Sequence, residues 1–199
     1  MIEKTRQFRG GALAARYALV VLSAFLCSCD SQKEDEPRRD LAAMSQLNQV
    51  HECLAERRYD DAIAICEKAI AIKPDFPAAY HNMSAAYLGL KQYEDAVAAC
   101  KKAIAIEPDY TAAFNNMFIA YRRLKRYDDV IAASKQLIAI KPDDPRGHYN
   151  LGLSYEKLGE KKAAIAAYEK TTALDPEGWS GSLARARISE LAATQPANK

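Results

Sequence analysis

The sequence predicts an all-α fold in which pairs of helices repeat along the chain. Three observations carry this prediction: a period of 34 residues, a composition rich in alanine and a scarcity of β-branched runs. Of the 199 residues, 49% are hydrophobic and 27% are charged, as in globular proteins and unlike disordered chains. The net charge of +2 is too balanced for a strong nucleic-acid-binding surface, so nucleic acid is not expected as a partner.

The first element is an N-terminal segment whose composition differs from that of the rest of the chain. Basic residues precede an apolar run from Tyr17 to Leu26 that is interrupted only by Ser23. A helix that spans a bilayer needs about twenty apolar residues, so this run is too short to span but suits a secretory signal. We therefore predict a signal peptide over residues 1–28.

The end of the apolar run, Leu26-Cys27-Ser28-Cys29, resembles the lipobox of bacterial lipoproteins, from which Cys27 in the middle is a departure. The resemblance implies cleavage after Ser28 and a lipid on Cys29. Each buried CH₂ of the acyl chains contributes about 0.8 kcal/mol, so several chains would make the attachment nearly irreversible. The predicted location is the cell envelope, facing the periplasm and anchored to a membrane by this lipid. An ordinary cleaved signal peptide is the alternative.

Two polar segments flank the predicted repeat domain, which covers residues 41–193. Residues 29–40 are mostly polar and charged and contain Pro37, so we predict a flexible tether there. Residues 194–199 are predicted to be a disordered tail.

The repeat itself is defined by prolines at equal spacing. Each proline lies in a phrase such as Ala71-Ile72-Lys73-Pro74-Asp75, and the intervals of 34 residues join Pro74, Pro108, Pro142 and Pro176. The same register aligns Asn48, Asn82, Asn116 and Asn150, and also Tyr87, Tyr121 and Tyr155. With proline at position 32 of each copy, the repeats are 43–76, 77–110, 111–144 and 145–178.

Each copy holds two stretches of about 13 residues with the apolar spacing of a helix. Acidic pairs such as Glu94 and Asp95 open three of the second helices, where negative charge is stabilising. The proline ends the second helix because it lacks an N–H donor and restrains the residue before it. One hairpin cannot bury its own apolar face, so stacked copies share a core. Residues 179–193 are predicted to form a final capping helix.

Four copies in register resemble the tetratricopeptide repeat. The resemblance implies a right-handed superhelix of four helix-turn-helix repeats followed by a C-terminal capping helix. In proteins of this kind the first helix of each repeat lines a concave groove that commonly holds an extended or helical peptide. A protein or peptide partner is therefore expected.

The third repeat departs from the pattern at the positions where small residues let the paired helices approach closely. Phe118, Val130 and Leu137 occupy these positions. We therefore predict a wider spacing between the two helices of this repeat, unless the small Ser134 nearby compensates.

The resemblance also implies which side chains face the groove, namely those at positions 2, 5, 6, 9, 12 and 13 of each repeat. These positions supply Asn48, His51, His81, Asn82, Asn115, Asn116, Arg122, Arg123, Arg146, Tyr149, Asn150 and Lys157. Asparagine can bond a peptide backbone, and arginine can hold a carboxylate with two bonds. The residues predicted to bind a partner are Asn82, Asn116, Arg122, Arg146, Tyr149 and Asn150. For Arg122 and its basic neighbours up to Arg126, a solvated loop is the alternative interpretation.

Catalytic and metal chemistry are not indicated by the residues. The sequence shows no Ser/His/Asp set, no phosphate-binding glycine loop and no acid pair in a defined cleft, so neither an enzyme nor a cofactor or small-molecule substrate is expected. His51 and His81 lack an evident third ligand, so no metal site is predicted. Whether Cys53 and Cys66, on facing helices of the first repeat, form a disulfide is left open.

The predicted function is that of a lipid-anchored adaptor that binds a segment of a partner protein in its concave groove. Two alternatives remain open at this stage. One is a structural solenoid that assembles with itself, and the other is a regulatory subunit of an enzyme of the cell envelope.

Overall fold

Helices make up nearly all of the part of the chain that the structure describes. The structure is a computed structural model, and it describes residues 37–193. Within this range the backbone forms nine α-helices and no strand, which confirms the predicted all-α class. The helices are α1 (37–55), α2 (Tyr59–Ile72), α3 (Pro77–Gly89), α4 (Tyr93–Ile106), α5 (Thr111–Arg123), α6 (Tyr127–Ile140), α7 (Pro145–Lys157), α8 (Lys161–Leu174) and α9 (Trp179–Ala193).

The helices stack in chain order, and the chain curves with the odd-numbered helices on its inner side. From α2 onward each helix packs against the next one. In addition α3 contacts α5 and α7 contacts α9, whereas no even-numbered helix from α2 to α8 packs comparably on the next even-numbered one. The odd-numbered helices therefore form the inner layer and the even-numbered helices the outer layer, as in a solenoid whose repeats touch only their neighbours.

Small residues at the predicted positions allow the helices of a pair to approach closely. Ala96 and Ala164 are completely buried at such positions. A Cβ added to Gly152 of α7 would lie only 2.6 Å from Cε1 of Tyr168 in α8. Because Tyr168 is completely buried, its ring cannot move aside. The close packing of α7 on α8 therefore requires glycine at this position.

The third repeat is more open than its neighbours, as its bulky residues predict. Phe118, Val130 and Leu137 are all buried, so these large side chains occupy the space between α5 and α6. Accordingly, α5 and α6 pack less closely than the helix pairs α3/α4 and α7/α8. The opening also extends along the inner layer, because α5 and α7 make much less contact than α3 and α5 do.

The first described helix begins earlier than the predicted domain. Residues 37–40, which the sequence assigns to the tether, form the first turn of α1. Asp40 is held there by Lys73, whose Nζ lies 2.7 Å from Oδ1 of Asp40. The tether prediction therefore overextends at its C-terminal end by these four residues. The predicted signal peptide, the lipidation site at Cys29, the rest of the tether and the tail at 194–199 lie outside the described residues.

The turns between the two helices of a repeat share one backbone geometry. Arg57, Lys91 and Lys125 have positive φ angles of 61°, 63° and 58°, and the equivalent residue in the fourth repeat, Gly159, has a φ of 80°. Each follows the end of an inner-layer helix and donates its N–H to the carbonyl three residues before it, as Lys91 does to Leu88 at 3.1 Å. The next residue bonds to the carbonyl five residues before it, which completes a Schellman motif.

Replacing Lys91 with glycine should raise the free energy of unfolding by about 0.5 to 1 kcal/mol. A residue with a side chain costs about 1 kcal/mol or more at positive φ, and replacement by glycine removes this cost. Part of the stabilisation is lost because glycine has more conformational freedom in the unfolded chain. Urea denaturation followed by circular dichroism measures the change. Gly159→Lys is the matched control and should destabilise, since a Cβ at Gly159 meets no atom within 4 Å and only the backbone angle opposes it. An unchanged or lower stability of Lys91→Gly would contradict this prediction.

The last helix caps the stack through one apolar side. Ala184 of α9 is buried against Ala164 and Tyr168 of α8, and Ile188 and Leu191 pack on the same cluster. Arg185, Ser189 and Glu190 are exposed on the opposite side of the helix. The carboxylate of Asp175 accepts hydrogen bonds from the backbone N–H groups of Ser180, at 3.0 Å, and Gly181, at 3.3 Å. Asp175 thereby satisfies donors at the start of α9 that have no partner within the helix.

The three described cysteines, Cys53, Cys66 and Cys100, are buried free thiols. Burial raises the pKa of the Cys66 thiol to about 12, with a further contribution from the neighbouring Cys53. Burial likewise raises the pKa of Cys100 to about 11. Because the thiolate is the reactive form, Cys66 and Cys100 are inert at neutral pH. All three buried cysteines serve as small apolar side chains.

Candidate partner-binding groove

A groove opens on the inner layer where α5 and α7 separate. It has a volume of about 490 Å³ and lies between the C-terminal halves of the two helices. Its lining consists of Ile119, Arg122, Arg123, Tyr127, Leu153 and Lys157. The groove thus lies where the inner-layer helices α5 and α7 make little contact with each other.

Three cations border this groove and are not neutralised by the described part of the chain. Arg122, Arg123 and Lys157 form no ion pair with any residue in 37–193. By contrast, Arg126 at the next turn is paired with both Glu94 and Asp129, at 3.1 Å and 2.6 Å. The positive charge at the groove is therefore available to an incoming anion.

The remaining lining is apolar and partly accessible. Ile119 is 37% exposed, and Tyr127 and Leu153 are half-buried. Ile119 and Leu153 occupy the same position, the ninth, in the third and fourth repeats. They thereby form an apolar strip between the cations, which can contact apolar side chains of a bound segment.

The asparagines that the sequence proposes for partner binding have partners or burial within the chain. Asn82 and Asn150 are only 6% and 9% exposed. Nδ2 of Asn150 donates to the carbonyl of Arg146 at 2.8 Å. Nδ2 of Asn116 donates to Oγ of Ser84 at 2.8 Å and lies 3.3 Å from Nδ1 of His81. Asn116 thus links two repeats, Asn150 bonds within its own helix and Asn82 is buried, and none of the three lines the groove between α5 and α7.

Arg146 is engaged at the start of α7. Its Nε lies 2.8 Å from Oδ1 of Asp144, and its Nη2 lies 2.5 Å from Oδ2. Asp144 also accepts the backbone N–H of Arg146 at 3.0 Å and so caps the helix. Burial raises the pKa of the Asp144 carboxyl, but the bonds from Arg146 outweigh this and leave the pKa below its ordinary value. Arg146 therefore already holds a carboxylate of its own chain.

Tyr149 belongs to a cluster of aromatic rings near the C-terminal cap. Its ring centroid lies 5.9 Å from that of Tyr168 and 6.3 Å from that of Trp179. Trp179 is 74% exposed, the largest exposure among the large apolar residues in the described range. Burial raises the pKa of Tyr149, and the positive charges of Arg187 and Arg122 act in the opposite direction. Tyr149 is therefore part of this aromatic cluster and does not line the groove between α5 and α7.

Of the six residues proposed from the sequence, the groove between α5 and α7 contains Arg122 alone. Arg123 and Lys157 were expected to face the inner side and do line the groove. Ile119, Tyr127 and Leu153 were not proposed. The signal for Ile119 and Leu153 was an apolar residue at position 9 of two consecutive repeats, in a column expected to face a ligand. Tyr127, at position 17, had no such signal.

A partly buried polar cluster links the second and third repeats. His81 of α3 forms an edge-to-face contact with Tyr110, at 5.7 Å between centroids, besides its contact with Asn116. Burial lowers the pKa of His81, and the positive charge of His51 lowers it further. The bond from Nδ2 of Asn116 requires Nδ1 of His81 to be unprotonated, which agrees with a neutral ring.

The free energy of unfolding should therefore fall as the pH is lowered from about 7 to about 5.5. His81 takes up a proton more readily in the unfolded chain, whose histidines titrate near pH 6.5, so acid favours unfolding. The pKa of His148 is lowered as well, by burial first and then by Lys170. Each histidine contributes at most about 1.4 kcal/mol per pH unit. Urea denaturation at several pH values measures the slope.

The matched control for this pH effect is a set of three variants. His81→Asn and His148→Asn should each reduce the slope, and the double variant should nearly abolish it between about pH 7 and 5.5. A double variant with the slope of the native protein would show that neither histidine is responsible.

Within residues 37–193, no group of three or more His, Cys, Asp or Glu side chains is arranged to hold a metal ion. None of the helices in this range has the length and apolar character that crossing a membrane requires.

Family models agree with the repeat pattern and the helix stacking. Models of the tetratricopeptide repeat match residues 54–117, 88–151 and 145–177. Together the matches run from residue 54 to 177, which is more than half of the chain. The chain belongs to the tetratricopeptide repeat family. Tetratricopeptide repeat proteins bind protein partners.

Several solved structures share this fold. MamA from Desulfovibrio magneticus, residues 41 to the end, is 22% identical, with 78% of this chain and 97% of that chain covered and a TM-score of 0.60. Another crystal structure of MamA is 22% identical, with 76% and 86% covered and a TM-score of 0.61. A tetratricopeptide repeat protein from Parabacteroides merdae is 13% identical, with 77% and 61% covered and a TM-score of 0.65. At these identities the likeness shows the fold alone. Among curated proteins, none matches the chain significantly.

Proposed function

We propose that this tetratricopeptide repeat protein is a non-enzymatic adaptor of the bacterial cell envelope. A lipid on Cys29 anchors it to a membrane, and its concave inner layer binds a segment of a partner protein. The observation that carries the binding role is the groove between α5 and α7, where three unpaired cations surround an accessible apolar strip. The groove is open to solvent on the layer that the repeats leave free, so a chain segment can enter without unfolding any helix.

The geometry favours a binding role over catalysis. Beside its three cations the groove is lined by Ile119, Leu153 and the phenol of Tyr127, and its lining includes no carboxylate, histidine, serine or cysteine. Its chemistry is limited to apolar contact, hydrogen bonding and attraction of negative charge. These are the interactions with which repeat proteins hold peptides.

Site-specific photocrosslinking in native cells tests the adaptor role. A photoreactive amino acid replaces Ile119 in the groove of the full-length protein, and in the control it replaces Ile106 on α4. The two residues are equally exposed, at 37%, and they lie on opposite layers. We expect a covalent adduct with a second protein from position 119 and none from position 106.

The other outcomes separate the alternatives. An adduct formed only with a second copy of this chain would favour the self-assembling solenoid. Equal adducts from both positions, or none from position 119, would contradict binding in the groove. If the captured partner is an envelope enzyme whose rate changes when the purified protein is added, the regulatory role follows.

The anchor is tested separately by fractionation. Cys29→Ala should release the protein from washed membranes into the soluble periplasmic fraction, because the thioether and its acyl chains cannot form. Cys27→Ala is the control and should remain on the membrane. Membrane retention of Cys29→Ala, or an intact Met1 on the mature chain, would contradict the lipoprotein proposal.

A further inference from the structure

We infer that the groove between α5 and α7 binds a peptide segment that combines acidic and apolar side chains. The inference rests on the proposed function and specifies the chemistry of the partner segment. It is carried by the charge state of the groove, by its apolar strip and by the spacing of its cations.

The unpaired cations of the groove favour a ligand that carries carboxylates. Other basic side chains nearby already have acidic partners: Arg146 on α7 bonds to Asp144, and Arg126, in the turn after α5, bonds to Asp129. Arg122, Arg123 and Lys157 have no acidic partner among residues 37–193. The chain as a whole is nearly neutral, at +2, so these cations are a local concentration of charge and not part of a basic surface. A ligand with two or more carboxylates completes the missing pairs, and the arginines can bind them with two bonds each.

The apolar strip favours a ligand that has hydrophobic side chains between its carboxylates. Ile119 and Leu153 stand beside the cations, and a purely ionic ligand would leave them in contact with water. This requirement excludes the acidic run Glu34-Asp35-Glu36 of the chain itself, because residues 30–36 contain no apolar side chain. A segment in which acidic and apolar residues alternate satisfies both parts of the lining.

The cations are spaced by the repeat. Arg123 and Lys157 are separated by 34 residues and occupy the same position in consecutive repeats. Neighbouring helices that pack directly lie about 8 to 10 Å apart, and α5 and α7 are less tightly packed than that arrangement. An extended peptide advances about 3.3 to 3.6 Å per residue. Carboxylates three or four residues apart on an extended segment therefore reach one cation on each helix.

Selection from a library of random twelve-residue peptides on the immobilised full-length protein tests this inference. We expect the enriched peptides to be acidic, to contain aliphatic or aromatic residues, and to carry carboxylates three or four positions apart. Fluorescence anisotropy then gives the affinity of an enriched peptide for each variant. The triple variant Arg122→Gln, Arg123→Gln, Lys157→Gln should bind at least tenfold more weakly than the native protein.

A second triple variant provides the matched control. Lys101→Gln, Lys135→Gln, Lys170→Gln removes the same three charges from exposed sites on the outer-layer helices α4, α6 and α8. Its affinity should stay within about twofold of the native value, so a loss confined to the groove variant reports the groove and not the net charge. Ile119→Ser should weaken binding several-fold, whereas Ile106→Ser, at an equally exposed site, should not.

Several results would overturn the inference. Enrichment of neutral or basic peptides, no enrichment, or equal losses in both triple variants would each do so. If position 119 still crosslinks a partner in cells while acidic peptides fail to bind the purified protein, the adaptor role stands and only the chemistry assigned to its ligand is wrong.

Discussion

Replacing Phe114 with alanine is expected to lower the free energy of unfolding by about 3 to 5 kcal/mol. Phe114 is completely buried in α5, within the largest apolar cluster of the described residues. Its ring lies 6.3 Å from that of Phe118 and packs in a cluster to which α4, α5 and α6 all contribute. Removal of the ring leaves a cavity that the helices fill only in part, so the lost contacts are not replaced.

The same cavity should also weaken the coupling between repeats. Stability in a solenoid is the sum of repeat terms and of interfaces between neighbours, and Phe114 belongs to the interface between the second and third repeats. We therefore expect Phe114→Ala to unfold over a broader range of urea concentration, or in two steps, when circular dichroism at 222 nm is followed.

Phe114→Leu should lower the free energy of unfolding by less, about 1 kcal/mol, because leucine fills most of the volume of the ring. Ile106→Ala, on the accessible side of α4, should change stability by about 0.5 kcal/mol. A loss below about 1.5 kcal/mol for Phe114→Ala would show that the core is looser than the burial indicates.

Replacing Gly181 with alanine is expected to destabilise the capping helix by about 1 to 3 kcal/mol. Helix propensity alone predicts the opposite, since alanine is favoured over glycine by about 1 kcal/mol within a helix. A Cβ at Gly181 would lie 1.8 Å from the backbone carbonyl oxygen of Asp175. The backbone cannot yield as a flexible side chain would, so α9 must move away from α8.

Amide hydrogen exchange locates this effect. Protection of residues 182–191 should fall about tenfold or more in Gly181→Ala, while α3 to α5 keep their protection, because each repeat contacts only its neighbours. Ser189→Ala lies on the exposed side of the same helix and should leave protection unchanged. If Gly181→Ala is instead more stable than the native protein, the tight contact at Asp175 is not a constraint in solution.

The fold could be predicted from the sequence because the same repeat pattern occurs in four copies. Pro74, Pro108, Pro142 and Pro176 set one register, and that register fixes both helices of each copy. The looser third repeat was also predictable, because Phe118, Val130 and Leu137 fill positions that other copies keep small. The repeat register did not predict the first turn of α1, because residues 37–40 are helical but have the polar composition of a tether.

The binding residues were harder to predict than the fold. Successive positions on a helix differ by about 100°, so a column adjacent to the groove faces the neighbouring helix instead. Asn82, Asn116 and Asn150 occupy such a column, and their amides bond or are buried within the stack. Arg146 pairs with the carboxylate of Asp144, two residues before it, and this pairing depends on the local path of the backbone at Asp144. The groove between α5 and α7 depends on the separation of two helices, which no single repeat encodes. The signal peptide, the lipid on Cys29 and the envelope location stay predictions.

The nearest-neighbour stacking of the repeats has a mechanical consequence. Side-chain bonds between repeats join residues only 32 to 35 positions apart, such as Asn116 to Ser84 and Arg126 to Glu94. Tension applied between the two ends of the chain therefore passes through the helix pairs one after another. Under load, the solenoid lengthens in small steps as single pairs detach, and it recovers its length as they dock again. A solenoid of this architecture therefore has the mechanical character of an extensible spring.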